Sequence, residues 1–250
     1  MKKNLFLAGL ILLAFTVVAE KLSAQTQIQR LNRAKTITTK GFIDKKSTFN
    51  PTALDSLIKC DDFVMLISSY EGCGPCEILR TSDVFERFPI TPYYTDYLLN
   101  RENETVPYTF SVSGFPTCMF FDKIGEIVAV TLGGCYSLYE KIDRIIKGEK
   151  IVDQAIPGVP NGQMLPFINC MYKANAAYMK GNMENLYKYA TEAMSILPNF
   201  YNRYLLYKYY VNKKDSASAN KYKELALANK DRRDEFVFKK LIEELKSDLP

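Results

Sequence analysis

Histidine and tryptophan are both missing from this 250-residue chain. Without an imidazole there is no Ser-His-Asp or Cys-His hydrolase, no histidine general base and no His-ligated metal. An excess of one charge is missing as well. The 33 Lys and Arg against 28 Asp and Glu leave +5, too little and too evenly spread for a nucleic-acid-binding surface. Long apolar runs are scarce: the one at Leu5–Ala19 is shorter than the roughly 20 residues that span a bilayer. What remains, 47% apolar and 24% charged, is ordinary globular material for one large domain or two small ones.

The first residues read as an export signal. Lys2 and Lys3 precede the apolar run, and small residues follow, ending Leu22-Ser23-Ala24 before Gln25. The expected cleavage is after Ala24, with Ala19 and an uncleaved anchor as the alternatives; no cysteine lies nearby to carry a lipid. Loss of residues 1–24 removes three lysines and one glutamate and brings the net charge to +3. The expected location is the periplasm, an oxidising compartment in which paired cysteines acquire a specific meaning.

Such a pair is present. Cys73-Gly74-Pro75-Cys76 follows the apolar run Phe63–Ile67, so two thiols stand at the junction of an expected strand and an expected helix. The first N–H groups of a helix have no intrahelical partners, and the aligned peptide dipoles make that end positive. A thiolate there is stabilised and becomes a competent nucleophile at neutral pH. Pro75 suits the first helical turn, where its missing N–H costs nothing. Gly74 keeps bulk away from Cys73, so that a second protein's disulfide can approach. Half of a zinc site is the competing assignment, but there is no second C-x-x-C and no histidine to complete it. A purely structural bridge is the third. Cys60, Cys118, Cys135 and Cys170 are scattered singly; they are expected to be inert, with Cys135 a candidate for the rim of the redox site.

Pattern along the chain predicts a flexible lead-in over 25–41 with a first strand near Ile37, and a helix opening at Thr48–Pro51. Next come the strand Phe63–Ser68, a helix from Cys73 to about Phe88, and a strand at Tyr93–Leu99. A short helix or turn at Pro107–Val112 precedes the strand Cys118–Phe121, which turns through Asp122–Gly125 into Glu126–Thr131. An amphipathic helix over Ser137–Lys147 ends an α/β layer with a mixed sheet. Residues 148–162, rich in Gly and Pro, read as a linker. Beyond them every periodic segment is helical. Asn182, Leu186 and Ala193 stand in a frame repeated 33 residues later by Asp215, Ala219 and Ala226, a period and small-residue pattern that marks tetratricopeptide repeats. A last helix over Asp231–Lys246 would cover them.

Residues 57–147 resemble the thioredoxin family. Leu57–Asp61 is similar to the stretch before its central strand, and Cys73-Gly74-Pro75-Cys76 matches its motif residue for residue. Gly114-Phe115-Pro116-Thr117 resembles the loop that holds its cis-proline. Gly125-Glu126 is similar to its hairpin, and Gly133 to the glycine opening its last helix. Residues 165–230 separately resemble tetratricopeptide repeats. The resemblance implies a thioredoxin-like domain over 25–147, a mixed central sheet flanked by helices, followed by an all-α repeat domain over 163–250. It implies a cis bond before Pro116, and a substrate strand pairing with the backbone of Phe115. Gly74, Pro75, Phe115, Pro116, Thr117 and Gly133 would then line the substrate site, with no cofactor and no metal.

The chain departs from the family at three places. Gly72 stands where the family has Trp, Ile67 where it has a buried acid, and Tyr97 at or near its lysine. The acid and lysine help the second cysteine lose its proton in the family; here Glu71 or water would have to serve. The implied activity is that of an exported thiol–disulfide oxidoreductase in which Cys73 attacks and Cys76 resolves. A Gly-Pro interval without histidine favours reduction of disulfides over isomerisation or oxidation. The partners would be disulfide-containing exported proteins and a membrane-embedded electron donor. The rival is a scaffold in which the repeats bind a protein partner, Tyr187, Tyr189, Tyr204, Tyr207, Tyr209 and Tyr210 lining a groove, and the redox pair is vestigial.

Overall fold

A computed structural model of the chain describes residues 50–70, 72–97, 114–133, 135–153, 156–230, 234–235 and 238–247. The expected export signal over 1–24 with its cleavage after Ala24, the lead-in with its strand near Ile37, the helix at Pro107–Val112 and Glu71 lie outside these residues.

Helix α1 (Pro51–Ile58) starts where Asn50 accepts hydrogen bonds from the N–H groups of Thr52 and Ala53 at 3.0 and 3.1 Å, with Pro51 in the first turn. It leads to β1 (Phe63–Tyr70), α2 (Gly74–Thr81), α3 (Val84–Arg87) and β2 (Thr91–Tyr97). The single helix expected from Cys73 to Phe88 is two. Ser82 turns extended after Thr81, and its hydroxyl takes the Leu79 carbonyl at 2.7 Å, which ends α2. Strands β3 (Thr117–Asp122) and β4 (Ile127–Leu132) form the expected hairpin. Asp122 fixes its turn by accepting from the N–H groups of Ile124 and Glu126 at 3.0 and 2.9 Å, and Gly125 supplies the left-handed backbone at φ +82°.

Helix α4 (Cys135–Ile146) is followed by β5 (Ile151–Val152), which pairs in parallel with β4. The stretch 148–162 is thus more than a linker: it carries a strand of the sheet, and Ile156 is buried in the core. Its Gly and Pro content signalled turns correctly but concealed the two-residue strand between them. Among the described residues the sheet has the order β2-β1-β3-β4-β5, with β1 parallel to β2 and antiparallel to β3, and β4 parallel to β5. The chain is therefore mixed α/β, with a mixed five-stranded sheet.

Alternation along the strands divides the core into two layers. Met65, Ile67 and Phe120 pack with Leu79 of α2 and with Leu138 and Ile142 of α4. On the opposite face Leu66, Met119 and Phe121 pack with Leu54 and Leu57 of α1, and this layer runs on into the helices beyond residue 163. Helix α5 (Met164–Met179) lies at that junction. Its Tyr172 meets Phe121 edge-on at 4.9 Å, and its Asn169 accepts from the Ile127 N–H at 2.7 Å while donating to the Ile127 carbonyl at 2.9 Å. A side-chain amide here completes the backbone pairing of β4.

Helices α6 (Met183–Ile196), α7 (Phe200–Asn212), α8 (Ser216–Ala228) and α9 (Lys239–Ser247) follow. The 33-residue frame has a physical counterpart. Asn182 caps α6 by accepting from the Asn185 N–H, and Asp215 caps α8 by accepting from Ser218, both at 3.1 Å. Leu186 and Ala193 are buried, as are Ala219 and Ala226. Gly181 at φ +70° and Lys214 at φ +59° hold the same left-handed position before each cap.

Candidate functional site

The CxxC loop springs from the end of β1. Gly72 takes φ +84°, a conformation that a side chain disfavours. Cys73 then serves as N-cap of α2, and its sulfur accepts a hydrogen bond from the Cys76 N–H at 3.3 Å. Gly74 and Pro75 occupy the first turn, as their types predict. The two cysteines are joined as a disulfide, with Cα atoms 5.2 Å apart.

Pairing in the sheet brings the second group of expected residues to the same edge. Ser68 of β1 lies opposite Thr117 of β3, and Thr117 opposite Leu132 of β4. Phe115, Pro116 and Gly133 therefore stand just past the ends of their strands, at the end of the sheet where β1 leads into the cysteine loop. The Phe115–Pro116 bond is cis. The Gly133 N–H donates to the Pro116 carbonyl at 3.0 Å, and the Thr117 hydroxyl to the Gly114 carbonyl at 2.7 Å. Phe115 is half-buried, Pro116 and Thr117 are buried, and Gly74 and Pro75 are exposed.

Cys73 is 2% exposed and Cys76 1%. The openness expected beside Cys73 belongs to its neighbours: a Cβ placed on Gly72 or Gly74 would meet no atom of the described residues within 4 Å.

Ile67, in the place of the family's acid, is fully buried. Arg80, one turn beyond Cys76 on α2, places its guanidinium 5.0 Å from the Tyr94 ring centre, 3.5 Å from the Ser69 hydroxyl and 3.4 Å from the Glu77 carboxylate. Its i+4 spacing from Cys76 was legible in the sequence; its contacts to β1 and β2 were not. The positive end of α2 favours thiolate over thiol at Cys73.

The other cysteines are dispersed. Cys118 is fully buried on β3, Cys60 is exposed after α1, and Cys135 begins α4. Cys170, half-buried on α5, has its thiol pushed up to about 11, by burial first and then by the Glu192 carboxylate that accepts its hydrogen bond at 3.6 Å. It is protonated at neutral pH. Among the described residues no three Cys, Asp or Glu side chains converge as metal ligands, and no helix is long and apolar enough to cross a membrane. The tyrosines divide: Tyr204 and Tyr207 are buried in the helical core, whereas Tyr187 is 40% exposed and stacks beside Tyr209 at 4.7 Å. No protein-family model matches this chain, and no curated protein matches it.

Proposed function

We propose that the chain is a thioredoxin-like protein-disulfide reductase, exported to the periplasm, which works through Cys73 and Cys76. The observation that carries this proposal is the placement of the Cys73 sulfur at the N-terminus of α2, at the end of the sheet that also carries cis-Pro116. In the reduced protein the Cys73 thiolate attacks one sulfur of a substrate disulfide. A bond forms between Cys73 and that sulfur, and the other substrate sulfur leaves as thiolate and takes a proton. Cys76, having lost its proton, then attacks the Cys73 sulfur. The Cys73–Cys76 bond forms, the mixed disulfide breaks, and the second substrate thiol departs. Two electrons and two protons pass from the dithiol to the substrate. The positive end of α2 stabilises the Cys73 anion. The backbone at Phe115, next to cis-Pro116, aligns the substrate chain as an added strand. A membrane-embedded donor returns two electrons to the disulfide, and the tetratricopeptide-like helices beyond residue 163 hold a protein partner.

The test is reduction of insulin with dithiothreitol as electron source. The native chain is expected to accelerate it, Cys73→Ser to abolish the acceleration, and Cys76→Ser to accumulate a mixed disulfide through Cys73. Equal, negligible rates for the native chain and Cys73→Ser would overturn the proposal.

A further inference from the structure

A cavity of about 380 Å³ lies where α1 and the β3–β4 turn face α5 and α6. Its charge is one-sided. Lys59, Lys123, Lys173 and Lys180 line it, against one carboxylate, Asp55. Lys180 is paired with Asp55, and Lys173 with Glu126. Lys59 and Lys123, both exposed, have no carboxylate within ion-pair distance among the described residues. The remaining wall is apolar and aromatic: Ile58, Ala176 and Ala177, with the rings of Tyr172 and Tyr189. The Asn185 side chain adds an amide at the α6 end.

Lys59 and Lys123 add positive charge at the mouth of this cavity with no carboxylate partner among the described residues, and an anion there is drawn to both. Water alone does not use the aromatic wall. The volume lies at the small end of the range for organic-ligand sites. We infer that this cavity binds a small organic anion, a phosphate or carboxylate on an aromatic or apolar body, with the anionic group between Lys59 and Lys123 and the body against Tyr172 and Tyr189. Such a ligand touches both the sheet layer, through α1 and the hairpin, and the helices α5 and α6. Its binding therefore ties the two together and stabilises the whole chain by mass action.

Phenyl phosphate is the probe, titrated into the full chain while the Gly125 amide in the cavity wall is followed by NMR and thermal unfolding is followed in parallel. Saturable binding below about 1 mM at low salt is expected, with a raised unfolding temperature. Phenol and inorganic phosphate should each bind at least roughly tenfold more weakly, because each supplies one half of the contact. Benzoate at comparable affinity identifies the site as general for organic anions; benzoate tenfold weaker identifies it as a phosphate site, and both outcomes uphold the inference. Lys59→Gln with Lys123→Gln, at exposed positions without ion pairs, should keep the native unfolding temperature and lose about tenfold or more in affinity. No saturation by 10 mM phenyl phosphate, or undiminished affinity in the double variant, would overturn it.

Discussion

The backbone N–H of Cys76 donates a hydrogen bond to the sulfur of Cys73 over 3.3 Å, so the first cysteine of the disulfide is also the cap of its own helix. A hydroxyl in its place keeps the cap, and a methyl does not. In reducing buffer, Cys73→Ser should retain nearly native stability while Cys73→Ala loses about 1 kcal/mol. Urea unfolding of the two variants checks this, and equal stabilities would contradict a capping role.

Gly72 takes φ +84°, and an added Cβ would meet nothing among the described residues within 4 Å. The cost of a side chain here is backbone strain alone. Gly72→Ala should destabilise the chain by about 1–2 kcal/mol and leave the rate of insulin reduction within about twofold. Loss of activity at unchanged stability would show that the open side of the loop has a more direct part in catalysis.

Asn169 holds both backbone groups of Ile127, as a neighbouring strand would. Asn169→Leu keeps the volume but orphans a buried N–H and a buried carbonyl. The expected loss is about 2–4 kcal/mol, read by urea denaturation. A loss under 0.5 kcal/mol would mean that water or a shift of α5 replaces the amide.

Asp83, between α2 and α3, accepts hydrogen bonds from the Tyr139 hydroxyl of α4 and from Arg87, the latter at 2.6 Å. The Tyr139 bond is the main cause that holds the Asp83 carboxyl below its usual range, with Arg87 second among the lowering contacts. A depressed folded-state value means stability that is present above about pH 4 and disappears as pH falls through the folded value. Tyr139→Phe should therefore narrow the gap between the urea midpoints at pH 6 and pH 2.5. An unchanged gap would remove Asp83 from the acid response.

Much of the architecture was legible in sequence because it rests on local rules. The strand Phe63–Tyr70, the hairpin turn at Asp122–Gly125 and the 33-residue frame each follow from periodicity, turn chemistry or capping. The break after Thr81 was hidden because Ser82 ends α2 through its own hydroxyl without a Gly or Pro to announce it. Strand β5 was hidden by its length, and the engagement of Asn169 with β4 by a separation of 42 residues. Within the candidate site, the close pairing of Cys73 with Cys76 follows from their spacing, and the cis bond before Pro116 was an expectation of the resemblance. The Arg80 guanidinium, held between Ser69, Tyr94 and Glu77, depends on tertiary packing that no motif carries.

The proposed chemistry rests on a thiolate at the head of α2. The most direct test is the rate of Cys73 alkylation by iodoacetamide, followed against pH in the reduced protein with Cys76→Ser to isolate the first thiol. The account predicts an apparent pKa below 8 and a rate at pH 7 at least several times that of free cysteine, whose pKa is about 8.5. A midpoint at 8.5 or above would contradict it.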